Sequence, residues 1–306
     1  MARGRARSQR LTHARRGRGR DARDRREPTA GRAVGHDQHM PDLQTAPAPI
    51  PPRPDLRRRV LAGEPTIGLF ISLGSAAAAE IVARAGYDWT IVDLEHGIGT
   101  EGELLGQLLA IQATPTAAVV RVVSAERMRV GRVLDLGADG LMIPRLETLA
   151  DVADTVSWMR YPPPGIRGVA AGTRGAGYGT VPHPQIQALN ERILGVFQVE
   201  SPVAVEAADD LAALDGVDVL FVGPADLSHS MGIPGDFGHP AFAAALDRVA
   251  AAAKAHGKGA GILLRDASEI PAYRDRGYDF IGIGSDAGMV MSGARSQLAA
   301  ARAALA

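Results

Sequence analysis

The sequence predicts an α/β protein: a closed (β/α)8 barrel of the TIM type over residues 56–306, behind a disordered Arg/Pro-rich tail over residues 1–55. Three observations predict it. Short β-branched runs alternate with Ala/Leu-rich segments of helical period eight times in succession, the pattern of parallel strands buried on both faces. Four glycine-x-aspartate joints separate a helical segment from the next run. No G-x-G-x-x-G follows the first strand, so the open doubly wound sheet lacks its signature.

The elements follow in order. TIGLFISL has the length and composition of a strand, and AAAAEIVARAG behind it consists of helix formers ending on glycine. WTIVDLE leads into ELLGQLLAIQ, whose leucines recur at helical spacing; AAVVRVV leads into ERMRVGRVLDLG; GLMIPR leads into ADVADTVSWMR. A long connection from Tyr161 to Glu191 then precedes ILGVFQVE and its helix VAVEAADDLAAL. VDVLFVG is followed by a longer segment ending FAAALDRVAAAAKAHG, AGILLR by EIPAYRDRG, and FIGIG by a C-terminal Ala-rich helix. Gly86-Tyr87-Asp88, Gly137-Ala138-Asp139, Gly216-Val217-Asp218 and Gly277-Tyr278-Asp279 form the joints, where glycine ends a helix in a left-handed cap.

Composition bounds the function. The chain has 306 residues, 46% hydrophobic and 22% charged, so a sizeable core is available. Its 34 bases balance 34 acids only overall. Residues 1–59 hold 16 arginines and 6 acids, a net of +10, and the remainder carries −10. The tail reads either as an extended leader, with Met40 an alternative start, or as a nucleic-acid-binding arm; the leader reading is preferred, because such a tail has no packed function of its own. With no cysteine, disulfides, thiolate metal sites and cysteine nucleophiles are excluded. No apolar run approaches the ~20 residues that span a bilayer, and no hydrophobic stretch follows the basic start, so a cytoplasmic protein is the expectation.

A barrel carries its chemistry at the C-terminal ends of the strands. There the sequence has Asp93-Leu94-Glu95-His96 after the second strand and Arg121 at the third. Gln198-Val199-Glu200 ends the fifth, and Gly223-Pro224-Ala225-Asp226 follows the sixth. His96 to Arg121 is 25 residues and Glu200 to Asp226 is 26, one βα unit each, so each pair comes from neighbouring strands about 4.8 Å apart. Gln198 and Glu200, two apart, share a face. Glu200 and Asp226 are hard-oxygen ligands for Mg2+ or Mn2+, though strand-end acids also cap helices. His96 is a base or a loop histidine; Arg121 is a catalytic cation or an ion-pair partner of Asp93 or Glu95.

These motifs resemble the HpcH/HpaI aldolases, the metal-dependent class II pyruvate aldolases that include 4-hydroxy-2-oxoheptanedioate and 2-dehydro-3-deoxyglucarate aldolases. The resemblance runs from about Leu61 to the C-terminus, on AGYDWTIVDLEHG, VVRV, LDLGADGLMIPR, RYPPPGIRGV, FQVES, VGPADLS and GIGSDAG, and leaves residues 1–55 without a counterpart. It implies a TIM barrel of the phosphoenolpyruvate/pyruvate-binding type that exchanges its last helix between subunits and forms homo-oligomers, as hexamers. It implies His96 as the base, Arg121 as the stabiliser of developing negative charge, and Asp135 as the acid that raises the basicity of that histidine. Gln198 and Ala225 are implied to bind substrate, and Glu200 and Asp226 to bind a divalent metal (Mg2+, Mn2+ or Co2+). Arg174 and Tyr178 resemble the family's R…YG element, and contact with a neighbouring subunit is one resolution of their placement.

The implied reaction is reversible cleavage of a 4-hydroxy-2-oxo acid to pyruvate and an aldehyde, through a pyruvate enolate that the metal stabilises. The competing Schiff-base route needs a lysine facing the barrel interior. The two lysines, Lys254 and Lys258, fall in a helix and just before the seventh strand, toward the opposite face. The alternatives are an acyl-CoA lyase of the citrate-lyase-like branch and a non-enzymatic nucleic-acid-binding barrel. DLEHG and GPADLS favour the aldolase over the first, and an intact site has no role in the second.

Overall fold

The computed structural model describes residues 55–145 and 147–305; the tail expected over residues 1–55 lies outside the described residues, Asp55 apart. The chain runs α1 (Leu56–Leu61), β1 (Thr66–Ile71), α2 (Ala76–Arg84), β2 (Trp89–Asp93), α3 (Glu101–Ile111), β3 (Ala117–Arg121), α4 (Arg127–Asp135), β4 (Gly140–Ile143) and α5 (Leu149–Met159). After the long connection come β5 (Leu194–Val199), α6 (Pro202–Glu206), α7 (Ala208–Ala213), β6 (Val219–Val222), α8 (Pro224–Ser230) and α9 (Pro240–Ala255). The last elements are β7 (Gly259–Leu264), α10 (Ile270–Asp275), β8 (Phe280–Ser285) and α11 (Asp286–Leu305). All eight expected strands form, pair in parallel in chain order, and close into a barrel through β8 and β1.

The four joints explain how the strands are seated. Gly86, Gly137, Gly216 and Gly277 all have φ between +93° and +99°, the left-handed caps the sequence predicts. The aspartate two residues on then accepts a backbone N–H from the preceding strand. Asp88 takes Ile67 (2.8 Å), Asp139 takes Ala118 (2.9 Å), Asp218 takes Gly195 (2.9 Å) and Asp279 takes Ala260 (3.1 Å). Each joint thereby ties an odd strand to the even strand that follows, four times around the N-terminal rim.

Large side chains fill the interior, so the barrel is a packed core. Phe70, Trp89, Ile91, Met142, Phe221 and Phe280 are buried there, with Trp89 stacked on Phe280 at 4.0 Å between ring centres. Gly68 makes room for that indole: a Cβ at Gly68 would lie 2.1 Å from it. The N-terminal end is closed by α1, a helix absent from the sequence expectation. Its Leu56 and Val60 join the inner core, and Asp55 caps it through Arg58 N–H.

The long connection runs between the C-terminus of α5 and the N-terminus of β5, and so belongs to the N-terminal face. It contains two 3-10 segments, Arg174–Gly179 and His183–Arg192, and docks on α4 through Arg167 and Arg174. At the chain's end, α11 has Asp286 as its only buried residue, while Met289, Val290, Met291 and Leu298 are exposed. Ile81, Leu105 and Leu109 on α2 and α3 are exposed as well. Among the described residues no helix is long and apolar enough to cross a membrane.

Candidate active site

The site begins where β2 and β3 end side by side, with Asp93 in register with Arg121. Arg121 donates from Nε to Asp93 Oδ1 (2.9 Å) and from Nη2 to Oδ2 (2.6 Å), and its Nη1 lies 3.1 Å from Glu95 Oε2. The guanidinium also lies over the Phe70 ring, 5.3 Å from its centre. Burial alone would raise the Asp93 carboxyl, but the hydrogen bonds and charge of Arg121 more than offset it and hold Asp93 below the usual range.

The same carboxylate shapes the loop that carries His96. Asp93 Oδ1 accepts the backbone N–H groups of Glu95 (3.0 Å) and His96 (3.1 Å). Gly97 closes the turn, since a Cβ there would lie 2.1 Å from the Asp93 carbonyl. The His96 imidazole, 64% exposed, stands at the mouth with Nε2 3.7 Å from Glu95 Oε2.

On the facing strands, Gln198 Nε2 donates to Glu200 Oε1 (2.7 Å), and both side chains are buried. Gln198 Oε1 is buried with no hydrogen-bond partner among the described residues. Gly223 is required beside them: a Cβ there would lie 2.6 Å from Glu200 Oε1. Ala225 and Asp226 follow in the first turn of α8, both exposed. Burial, with the charges of Asp226 and Glu95, pushes the Glu200 carboxyl up to about 7, against the pull of Arg121 and Arg145. Burial raises Glu95 too, against Arg121 and His96.

Among the described residues no three histidine, aspartate or glutamate side chains cluster as a metal cage. Glu200 and Asp226 could offer two hard-oxygen ligands to a Mg2+-like ion, a kind of ion that usually keeps several positions for water and substrate. A buried carboxylate beside a second acid, an unpaired amide oxygen next to it, and a glycine that keeps the space clear fit such an ion.

Six of the seven residues singled out in the sequence therefore gather at the C-terminal mouth: His96, Arg121, Gln198, Glu200, Ala225 and Asp226. Asp135 does not. It ends α4 near the N-terminal face, where it accepts Arg167 Nη2–H (2.9 Å). Lys254 and Lys258 also lie at that face, lining a cavity of about 390 Å3 with Val60 and Asp279.

Sequence reasoning missed three contributors. Asp93 entered only as a pairing partner, yet it orients both Arg121 and the His96 loop. Asp286, 3% exposed, accepts Ser72 N–H and Oγ–H and Leu73 N–H, tying the loop after β1 to the start of α11; its place directly after the last strand was the available signal. Arg145, two residues past β4, has φ +51°, which no sequence pattern marks.

Residues 66–293 match the family model described as HpcH/HpaI aldolase/citrate lyase. The chain is 41% identical over 249 residues to a hydroxypyruvate/pyruvate aldolase of Paraburkholderia phytofirmans, covering 79% of this chain and 95% of that one. It is 39% identical over 227 residues to a 5-keto-4-deoxy-D-glucarate aldolase of Salmonella arizonae, covering 74% and 88%. Among solved structures, an HpcH/HpaI aldolase/citrate lyase family protein from Burkholderia cenocepacia J2315 superposes with a TM-score of 0.77 at 40% identity, over 81% of this chain and 98% of that one.

Proposed function

The chain belongs to the HpcH/HpaI aldolase/citrate lyase family, and on that premise we propose that it is an aldolase that reversibly cleaves a 4-hydroxy-2-oxo acid to pyruvate and an aldehyde. One observation carries the reading. His96, Arg121, Gln198, Glu200 and Asp226 converge on one mouth of the barrel, while both lysines lie at the other end. A Schiff-base nucleophile must reach the substrate carbonyl, and neither lysine can.

A divalent ion such as Mg2+, Mn2+ or Co2+, held by Glu200 and Asp226, would supply Lewis acidity toward the carboxylate and keto oxygens of the 2-oxo acid. Gln198 and the backbone at Ala225 bind that end of the substrate. In cleavage, His96 takes the proton of the C4 hydroxyl, directly or through water. The C3–C4 bond breaks, the aldehyde carbonyl forms from the deprotonated oxygen, and the electron pair remains as the enolate of pyruvate, which is protonated at C3. Arg121, permanently charged and fixed by Asp93, stands ready for the developing oxyanion at no reorganisation cost.

Asp135 fits this scheme only through a second copy of the chain, because it lies at the opposite end of its own barrel from His96. The unburied α11 and the exposed apolar residues of α2 and α3 support such an assembly, with the last helix exchanged between copies.

Proton exchange at C3 of pyruvate, followed by NMR in D2O with Mg2+ present, tests the reading before any aldehyde is identified. Exchange that needs the protein and is lost in Glu200→Gln is expected. No exchange with pyruvate, alongside release of a product from an acyl-CoA thioester, would move the protein to the citrate-lyase-like branch.

A further inference from the structure

The loop that carries His96 is held at both ends. Asp93 Oδ1 takes the Glu95 and His96 N–H groups at one end, and at the other Ile98 N–H donates to the Ser72 carbonyl (2.8 Å). Glycines let the two loops meet backbone to backbone. A Cβ at Gly97 would lie 3.1 Å from that carbonyl, and one at Gly74 would lie 2.7 Å from the Gly99 Cα. The His96 loop therefore sits where the Ser72 loop puts it.

Ser72 is itself fixed from the far end of the chain. β1 pairs with β2 on one side and with β8 on the other, and Phe70 is in register with Ser285, so Asp286 opens α11 beside Ser72. Asp286 Oδ1 accepts Ser72 N–H (2.8 Å) and Oγ–H (2.9 Å), and Oδ2 accepts Leu73 N–H (3.2 Å). Capping α11 would need only the fourth bond, from Ala287 N–H (2.8 Å). The residue is 3% exposed, and among the described residues no cation pairs with it. A carboxylate so placed is costly to bury unless donors satisfy it. Three of its four donors belong to the Ser72 loop.

We propose that Asp286 is a positioning residue for the base: by clamping Ser72 it fixes where the His96 imidazole stands over the substrate. The inference rests on the aldolase reading and adds to it a residue that touches none of the groups at the mouth. Gln198 and Glu200, at the end of β5, bond to one another and not to the clamp. Loss of the clamp should therefore act on turnover and spare binding of the 2-oxo acid.

The test is a double-mutant cycle on cleavage of 4-hydroxy-2-oxopentanoate, whose two-carbon aldehyde half makes little demand on specificity. Asp286→Asn keeps the shape and one acceptor oxygen, but sets an amide N–H2 against backbone N–H donors. A catalytic group misplaced by about 1 Å costs on the order of 100-fold, so this variant should lower kcat roughly 10- to 100-fold and move KM by less than about threefold. In the His96→Ala background, read with enzyme in excess, the same substitution should change the rate by less than about twofold, because no imidazole is left to misplace. Equal falls in both backgrounds would make Asp286 a support of the whole fold and overturn the proposal. An unchanged kcat in Asp286→Asn overturns it too. If Asp286→Asn does not fold, Ser72→Ala takes its place in the cycle. It removes the Oγ–H bond alone, so a smaller fall that again vanishes without His96 is expected, and no fall or equal falls count against the clamp. Exchange of pyruvate C3 protons separates the two levels. Exchange by the wild type without cleavage rejects the role of Asp286 and leaves the enolate chemistry standing, whereas no exchange rejects both.

Discussion

Asp93 holds Arg121 through both carboxylate oxygens, at 2.9 and 2.6 Å, and uses one of them again to hold the backbone of Glu95 and His96. A single buried carboxylate thus orients the cation and the loop of the base together. The ion-pair and catalytic readings of Arg121 are therefore compatible: the pair is the device that presets the guanidinium.

Arg121→Lys keeps the charge and loses the planar fork of donors. It should lower aldol cleavage by at least 10-fold while Tm falls only modestly. If Arg121 serves the enolate oxygen, C3 exchange falls in parallel; if it serves the aldehyde oxygen, exchange partly survives. Near-normal rates with a lowered Tm would reduce Arg121 to a structural partner. Asp93→Ala leaves the buried guanidinium with the Glu95 contact alone and should cost up to roughly 3–5 kcal/mol, read from denaturant midpoints.

His96→Ala leaves the Gln198–Glu200 pair and the Asp93–Arg121 pair untouched. Removal of a general acid–base group typically costs 10²–10⁴-fold, so cleavage should fall in that range while pyruvate still binds, as measured by calorimetry. A folded variant with undiminished cleavage rejects His96 as the base.

Glu200 gives the metal-free protein a pH signature. Its folded-state value of about 7 stands above the ordinary 4.5, so between those values the folded state binds the extra proton. The associated stability is complete below pH 4.5 and is lost as pH rises through 7, a contribution on the order of 1–3 kcal/mol. Glu200→Gln removes the carboxylate that burial disfavours. At pH 8 without metal it should melt higher than wild type, and added Mg2+ should no longer raise its Tm. Identical melting curves for the two proteins at pH 8 would contradict this.

Assembly is tested at α11. Met291→Glu with Leu298→Glu places charge on an apolar face that the single chain leaves uncovered. Light scattering should show a smaller particle than wild type. If Asp135 acts on His96 of another copy, activity should fall with particle size; full activity in a monomer would remove Asp135 from the mechanism.

What the sequence carried, it carried through local repetition. Each strand run, each left-handed glycine joint and each strand-end charge announces itself within a few residues, so the barrel, and the placement of six of the seven candidate residues at its C-terminal mouth, could be read directly. Three features had no such marker. The six-residue α1 has only Leu56, Val60 and Leu61 as apolar residues, in an arginine-rich stretch, and its helix is stabilised by the distant barrel core. The left-handed backbone of Arg145 has no local residue pattern to announce it. The distance between Asp135 and His96 follows from the alternation of strand and helix direction, which puts the end of a helix and the end of a strand at opposite rims.

The most direct test of the central claim is coupled detection of pyruvate released from a panel of 4-hydroxy-2-oxo acids, before and after exhaustive chelation with EDTA. Release that chelation abolishes and that Mg2+, Mn2+ or Co2+ restores is the expected result, with no protein adduct when borohydride is added to the pyruvate complex. Full turnover after chelation, or a borohydride-trapped adduct on Lys254 or Lys258, would contradict it.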